Sequence, residues 1–284
     1  MNRLSKERRV QVVKALVEGN SINGIVRMTG VAKNTVLKLL ADLGSACLDH
    51  QDVTLRNLNL KYIQCDEIWE FCYSKAKNVP EEHKGEFGYG DVWTWTAIDA
   101  DTKLVPCWRV GNRDGKEAYH FMLDLASRLA NRVQLTTDGH SAYLSAVENA
   151  FGSNIDYAQL IKLYGGVEPE REARRRYSPA ECVGTETKNI QGHPDNAYIS
   201  TSYVERQNLT MRMSMRRFTR LTNGFSKKLE NHMHAISLHF MYYNFARPHK
   251  SLANPYLRTP AMAAGLTDRI WTIEDIVSLL DGSN

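Results

Sequence analysis

The sequence lacks paired cysteines. Its cysteines stand singly, without a CxxC spacing, at positions 47, 65, 72, 107 and 182. Closely spaced pairs are typical of zinc fingers and redox motifs, and regular even sets are typical of disulfide frameworks. The pattern excludes these classes of site and favours reduced thiols in a cytosol.

Long apolar runs are also missing. The first residues, MNRLSKERR, are charged and contain no apolar core of a signal peptide. No run reaches the roughly 20 apolar residues that a membrane-spanning helix needs. We therefore expect a cytoplasmic protein.

Composition does little to separate functional classes, because 43% hydrophobic and 24% charged residues are ordinary values for soluble proteins. The net charge of +4 is modest, but the basic residues are clustered. Residues 206–228 contain seven basic side chains and no acidic one. Such a positive segment favours a polyanion as partner, and a solvated helix face is the alternative interpretation.

Apolar spacing predicts three short helices at 3–19, 22–28 and 32–43, with glycines at the breaks. This pattern indicates a helix-turn-helix DNA-binding domain over residues 1–48. A helix-turn-helix places the start of its last helix in the major groove of DNA. The side chains expected to reach phosphates and base edges there are Lys33, Asn34, Thr35 and Lys38. A dimerisation module or a purely structural unit is the alternative.

A second domain is predicted after a linker at 49–58. Strands are expected at 60–71, 91–100 and 104–110, followed by a helix at 116–131, a fourth strand at 132–137 and a helix at 141–151. This order predicts an α/β fold with a mixed sheet covered by helices. A polar stretch with several prolines and glycines, at about 165–201, is predicted to be an irregular insertion. Helices are then expected at 201–217 and 225–245, and residues 251–284 are predicted to form a C-terminal helical tail.

Three acidic residues occupy positions that suit an active site. Asp66 lies inside the first predicted strand, Asp138 ends the fourth, and Glu205 lies in a predicted helix. If the two strands are neighbours, the aspartates meet at one sheet edge, and a helix packed there can add Glu205. Glu67 should face the opposite side of the sheet. Clustered carboxylates imply Mg²⁺ or Mn²⁺, here two ions, which activate an attacking hydroxyl and stabilise the leaving oxygen in phosphoryl transfer.

These motifs resemble the DDE transposases of bacterial insertion sequences, in particular the family of insertion sequence one. The resemblance rests on CDEIW at 65–69, TTDGH at 136–140 and YVERQN at 203–208. It implies an RNase H-like catalytic domain, here 59–250, with the insertion before its last catalytic helix. It also implies Asp66, Asp138 and Glu205 as catalytic and metal-binding residues, and cleavage and strand transfer at terminal inverted repeats.

The resemblance further implies double-stranded DNA as the partner and self-association into at least a dimer, since two DNA ends must be joined. The additional side chains expected to contact DNA are His140, Asn208, Arg212, Arg216 and Arg217. Two other functions are compatible with the sequence. One is a DNA-binding regulator without catalysis, and the other is a host-adapted nuclease that cuts DNA but does not join it.

Overall fold

The computed structural model describes residues 4–165, 182–219 and 223–281. Within these residues the fold is mixed α/β, with one six-stranded sheet. The strands are β1 (Tyr62–Cys72), β2 (Gly90–Asp99), β3 (Trp108–Gly111), β4 (Gln134–Thr137), β5 (Asp156–Tyr164) and β6 (Cys182–Gln191).

Helices precede, cover and follow the sheet. The described α-helices are α1 (Lys6–Val17), α2 (Ile22–Thr29), α3 (Lys33–Thr54), α4 (Gly115–Arg128), α5 (Ala142–Phe151), α6 (Ser202–Ser214), α7 (Leu229–Met241), α8 (Pro260–Ala263) and α9 (Ile273–Ser278). A π-helical turn, Tyr242–Ala246, continues α7. In the part of the chain that the structure describes, no helix combines the length and apolarity that a bilayer crossing requires.

The strand order is β3-β2-β1-β4-β5-β6. The first three strands form an antiparallel meander, and β1, β4 and β5 are parallel neighbours. Parallel neighbours need crossover connections, which α4 and α5 supply. The predicted α/β class, a mixed sheet with helices on both faces, is therefore confirmed, and the strand order is consistent with an RNase H-like fold.

Alternation along β1 explains why helices lie on both faces of the sheet. Ile63 and Cys65 belong to the larger core, together with residues of α4 and α5. Ile68 and Cys72 point the other way, into a second core with residues of α6 and α7. Because successive strand residues face opposite sides, a strand buried on both faces is apolar at odd and even positions alike.

The predicted linker at 49–58 is wrong over its first half, because α3 continues to Thr54. Leu43, Cys47 and Gln51 are buried at a four-residue spacing, and Gln51 donates to the Ser237 carbonyl of α7. The buried stripe is therefore helical, although the polar residues between its members obscure the periodicity. The helix-turn-helix residues consequently share one core with the sheet.

The prediction of an irregular insertion at 165–201 is wrong for residues 182–191, whereas residues 192–201 are irregular apart from one short 3-10 turn. Residues Cys182–Gln191 form β6, which pairs antiparallel with β5. β5 itself has no counterpart among the predicted strands. Residues 166–181, including most of the expected insertion and its REARRRY run at 171–177, lie outside the described residues.

The described part of the C-terminal tail contains the short helices α8 and α9, with irregular segments at 253–259 and 264–272. It packs against the first helix: Arg9 Nη1 lies 3.3 Å from Asp281 Oδ1, and Lys14 Nζ lies 3.5 Å from Glu274 Oε1. The two ends of the described chain thereby meet on one side of the molecule.

Candidate active site

Two parallel strands bring Asp66 and Asp138 together. Cys65 of β1 pairs with Thr137 of β4, and each aspartate is the next residue along its strand direction. One carboxylate oxygen each of Asp66, Glu67 and Asp138 lies within 4.8 Å of the others. The expectation that the two aspartates lie side by side is therefore correct, although only β4 ends at this point and β1 continues to Cys72.

Asp66 is held by directed hydrogen bonds. Its Oδ1 accepts from the Glu67 amide at 2.9 Å, and its Oδ2 accepts from Asn208 Nδ2 at 2.8 Å. Burial, followed by the charges of Glu67 and Asp138, raises the pKa of Asp66 from 3.8 to about 7. The site thus concentrates negative charge at a point where water solvates it poorly.

Glu67 faces the opposite side of the sheet from Asp66, as expected, but its carboxylate still reaches the cluster. Its Oε1 accepts from Arg113 Nε at 2.5 Å, and its Oε2 accepts from the Tyr143 hydroxyl at 2.9 Å. Arg113 Nη2 also lies 3.8 Å from Asp138 Oδ2. Burial and the Asp138 charge raise the pKa of Glu67, and Arg113 offsets part of that rise.

Arg113 and Tyr143 were missed in the sequence. Arg113 lies in the loop between β3 and α4, and Tyr143 lies in the first turn of α5. Their connection to Glu67 depends on tertiary packing between elements that are 46 and 76 residues away in sequence. The local signal that could have pointed to them is a second acid, Glu67, directly beside Asp66.

Glu205 does not join the carboxylate cluster in the described residues, so the expected convergence of three acids holds for two of them. Its Oε2 contacts Lys162 Nζ of β5 at 2.5 Å, and its Oε1 accepts from Thr201 Oγ1 at 2.5 Å. Glu205 is nevertheless close enough for its charge to contribute to the raised pKa of Asp66. Lys162 was missed because it lies on β5, a strand that was not predicted.

Asn208 and Arg212 follow Glu205 along one face of α6, as their spacing predicts. Asn208 contacts Asp66, whereas Arg212 lies one turn further along, where its positive charge acts on Glu70. Burial dominates there and raises the pKa of Glu70 well above its ordinary value. α6 therefore runs along β1, with Asn208 beside Asp66 and Arg212 beside Glu70.

His140 is turned inward. Its amide donates to Asp138 Oδ1 at 3.0 Å, and its ring stacks near Trp95, with 6.0 Å between centroids. Its Nε2 is buried and has no hydrogen-bond partner among the described residues. This position does not favour the predicted contact with a DNA phosphate.

The helix-turn-helix residues predicted to contact DNA are solvent-exposed. Lys33, Asn34, Thr35 and Lys38 lie in the first two turns of α3, and Lys38 Nζ pairs with Asp42 Oδ2 at 2.9 Å. An exposed, basic helix start is what major-groove contact requires.

Arg216 and Arg217 lie in a short 3-10 turn that follows α6. Arg216 is exposed, whereas Arg217 is partly buried and donates to Ser226 Oγ at 2.8 Å. The two predicted DNA contacts therefore differ in their accessibility.

No protein-family model matches the chain, and no curated protein matches it either. Among solved structures, the chain is similar to a piggyBac transposase in a synaptic complex with hairpin DNA, determined by cryo-electron microscopy. The identity is 11%, the TM-score is 0.37, and the alignment covers 98% of this chain and 71% of that chain. A similarity of this size does not extend to function, so the function has to follow from the residues of this chain.

Proposed function

We propose that the chain is a DDE-type transposase, an enzyme that cleaves DNA strands and joins the new 3′ ends to target DNA. The observation that supports this most is that Asp66 and Asp138 lie side by side where the pairing of the parallel strands β1 and β4 ends. Two carboxylates held this way by regular structure suit phosphoryl transfer better than a structural role. Their mutual repulsion is a cost to the metal-free fold.

The donor set fits a divalent cation. Carboxylate oxygens are the ligands that Mg²⁺ and Mn²⁺ prefer, and a cation would relieve the repulsion that raises the pKa of Asp66. Asp66 and Asp138 would hold the cation, and Glu205 would add a third carboxylate once it is released from Lys162. A bound divalent ion supplies Lewis-acid stabilisation of the charge that develops on phosphodiester oxygens.

The surrounding side chains have positioning roles in this proposal. Asn208 fixes the orientation of the Asp66 carboxylate by its hydrogen bond. Arg113 and Tyr143 each donate a hydrogen bond to one carboxylate oxygen of Glu67. Because both oxygens already have partners, Glu67 is better suited to hold Arg113 and Tyr143 in place than to bind a cation. Arg113 is partly exposed and lies between two carboxylates, so it can also approach a phosphate at the site.

The remaining parts of the proposal concern DNA. The exposed start of α3 would recognise terminal inverted repeats, and the basic residues after α6 would contact the phosphate backbone. Since two transposon ends must be joined, the active species would be at least a dimer.

The test is an assay of the chain with Mg²⁺ and a supercoiled plasmid that carries the DNA flanking its own gene. We expect nicked and joined products, and both should fall by at least about a hundredfold in Asp138→Asn and Glu205→Gln. Lys77→Gln, an exposed change outside the site, is the matched control. Normal strand transfer by Asp138→Asn would refute the proposal. Cleavage without joining would favour a nuclease, and binding without cleavage would favour a regulator.

A further inference from the structure

A cavity lies between the helix-turn-helix residues and described residues on either side of 220–222, between α6 and α7. Its volume is about 380 Å³, within the roughly 300–1,000 Å³ of typical ligand sites. One wall comes from α1 to α3, and the other comes from residues 214–217, 223–225, 227–228 and α7. We call it the seam cavity. It is separate from the carboxylate cluster, because neither Asp66 nor Asp138 lines it.

The seam cavity is strongly basic. Its described lining contains no aspartate or glutamate, and its cationic residues are Lys33, Arg216, Arg217, Lys227 and Lys228. Across residues 4–165, 182–219 and 223–281, no ion pair joins any of these five to a carboxylate. Lysines and arginines elsewhere often have such a partner, as in Arg132 with Asp156 at 2.7 Å. Five like charges without counter-charges repel one another and attract an anion.

Arg217 is the cationic lining residue whose charge most needs a negative partner. Its side chain is partly buried, and within the part of the chain that the structure describes its guanidinium donates to a neutral hydroxyl, Ser226 Oγ. Burial lowers the pKa of the Arg217 guanidinium, so its charge is held at a cost in the ligand-free protein. A buried charge is normally paired.

Three helix N-termini add to this positive field. Residues of the first turns of α2, α3 and α7 line the cavity, namely Ile22, Lys33 and Asn231. α3 and α7 have no side-chain cap, since Ala32 and Lys228 occupy their N-cap positions without a capping hydrogen bond. Uncapped amides at a helix start are donors that suit an anion.

The lining also includes four leucines, which are buried or half-buried, whereas most of its cationic residues are exposed. We therefore call the apolar part the floor and the basic part the rim, and the leucines of the floor are Leu16, Leu37, Leu40 and Leu238. A basic rim above an apolar floor matches a group that carries a phosphate next to a sugar and base. We propose that the seam cavity binds a phosphate-bearing segment of a DNA strand. The phosphate would contact the basic rim, and the deoxyribose or base would contact the floor. This rests on the proposed function, and it adds a DNA site shared by the helix-turn-helix and the catalytic fold.

The test is lysine footprinting of the wild-type chain by acetylation and mass spectrometry. The arms are duplex DNA, the same sequence as a single strand, a free deoxynucleotide and inorganic pyrophosphate. We expect either DNA form to slow acetylation of Lys33, Lys227 and Lys228 together by about threefold or more, because phosphate contacts exclude the reagent. The exposed Lys77 and Lys250 should be unchanged. Protection of Lys33 without Lys227 and Lys228 would overturn the proposal, as would protection by the free nucleotide or pyrophosphate but not by DNA.

A double variant, Lys227→Gln with Lys228→Gln, gives a second readout. Removing two phosphate contacts should reduce the slope of log affinity against log salt by about two, whereas the equally charged control Lys77→Gln with Lys250→Gln should leave it unchanged. An unchanged slope in the seam variant would overturn the proposal. If DNA is cut and joined while these lysines stay unprotected, the seam site fails and the proposed function stands. If these lysines are protected but no strand is cut, the seam site stands and the proposed function fails.

Discussion

Asp66 lies between two other carboxylates, Glu67 and Asp138, at a partly buried position. Its ionised form is disfavoured first by loss of water and then by these like charges. Since the pKa of Asp66 is raised to about 7, the folded, metal-free protein holds a proton there that the unfolded chain has released by about pH 4 to 5.

The sign of the pH dependence follows from this difference. Between about pH 4 and pH 7 the folded state binds more protons than the unfolded state, so the free energy of unfolding decreases as pH rises. The loss attributable to Asp66 is up to about 4 kcal/mol, given about 1.4 kcal/mol for each pKa unit. We expect Asp66→Asn, melted in chelator, to lose clearly less stability than the wild type between pH 5 and pH 8. Asp49→Asn, an exposed change on α3, should behave like the wild type. If the free energy of unfolding depended on pH identically in Asp66→Asn and the wild type, the Asp66 carboxyl would not be the source of the stability loss.

The elements of the fold were predictable where periodicity is strong. The alternation around Asp66 and the short strand before Asp138 placed the two residues side by side, because β1 and β4 are parallel neighbours in the sheet. β5 and β6 were not predicted, since their mixed polar and apolar pattern becomes informative only once the two strands pair. The contact of Lys162 with Glu205 depends on β5, so it could not be expected.

Close approach of α3 and α7 is a second feature that only the structure shows. A Cβ atom added at Gly44 would lie 2.5 Å from His234 Cβ and 2.7 Å from its Cα. Ser237 Oγ of α7 also donates to the Gly44 carbonyl at 2.8 Å. Glycine is required here by contact between helices and not by backbone conformation.

Gly44→Ala should therefore destabilise the protein, although alanine is the better helix former by about 1 kcal/mol. The added methyl group must push α7 away from α3, and overpacking of this kind costs about 1–3 kcal/mol. Chemical denaturation of the variant and the wild type measures this change in the free energy of unfolding. Ser45→Ala, the exposed neighbour on the same helix, is the control and should be neutral or slightly stabilising. A Gly44→Ala protein as stable as the wild type would show that the two helices do not pack this closely.

At the scale of the whole molecule, the helix-turn-helix and the sheet are one body. The larger core contains Val13 and Leu40 from the helix-turn-helix and Ile63 and Leu135 from the sheet. The sequence predicted two domains and a linker because its helical and strand patterns change near residue 58. Pattern alone does not reveal whether two patterns share a core. A DNA-binding unit fixed to the sheet would hold DNA at a constant position relative to the carboxylate cluster.

One shared core predicts cooperative unfolding. In native-state hydrogen exchange, amides of α1 and α3 should reach about the same opening free energy as amides of β1 and β4. Calorimetry should show a single transition whose van't Hoff and calorimetric enthalpies agree. A separate, lower transition in which α1 to α3 melt while the sheet stays protected would contradict this description.

The central claim is that Asp66 and Asp138 together hold a divalent cation. Titration of the chain with Mn²⁺, followed by electron paramagnetic resonance at pH 8, tests it without DNA or turnover. We expect saturable binding by the wild type, at least about tenfold weaker binding by Asp66→Asn and Asp138→Asn, and unchanged binding by Asp49→Asn. Equal Mn²⁺ affinity in the wild type and both site variants would contradict the claim.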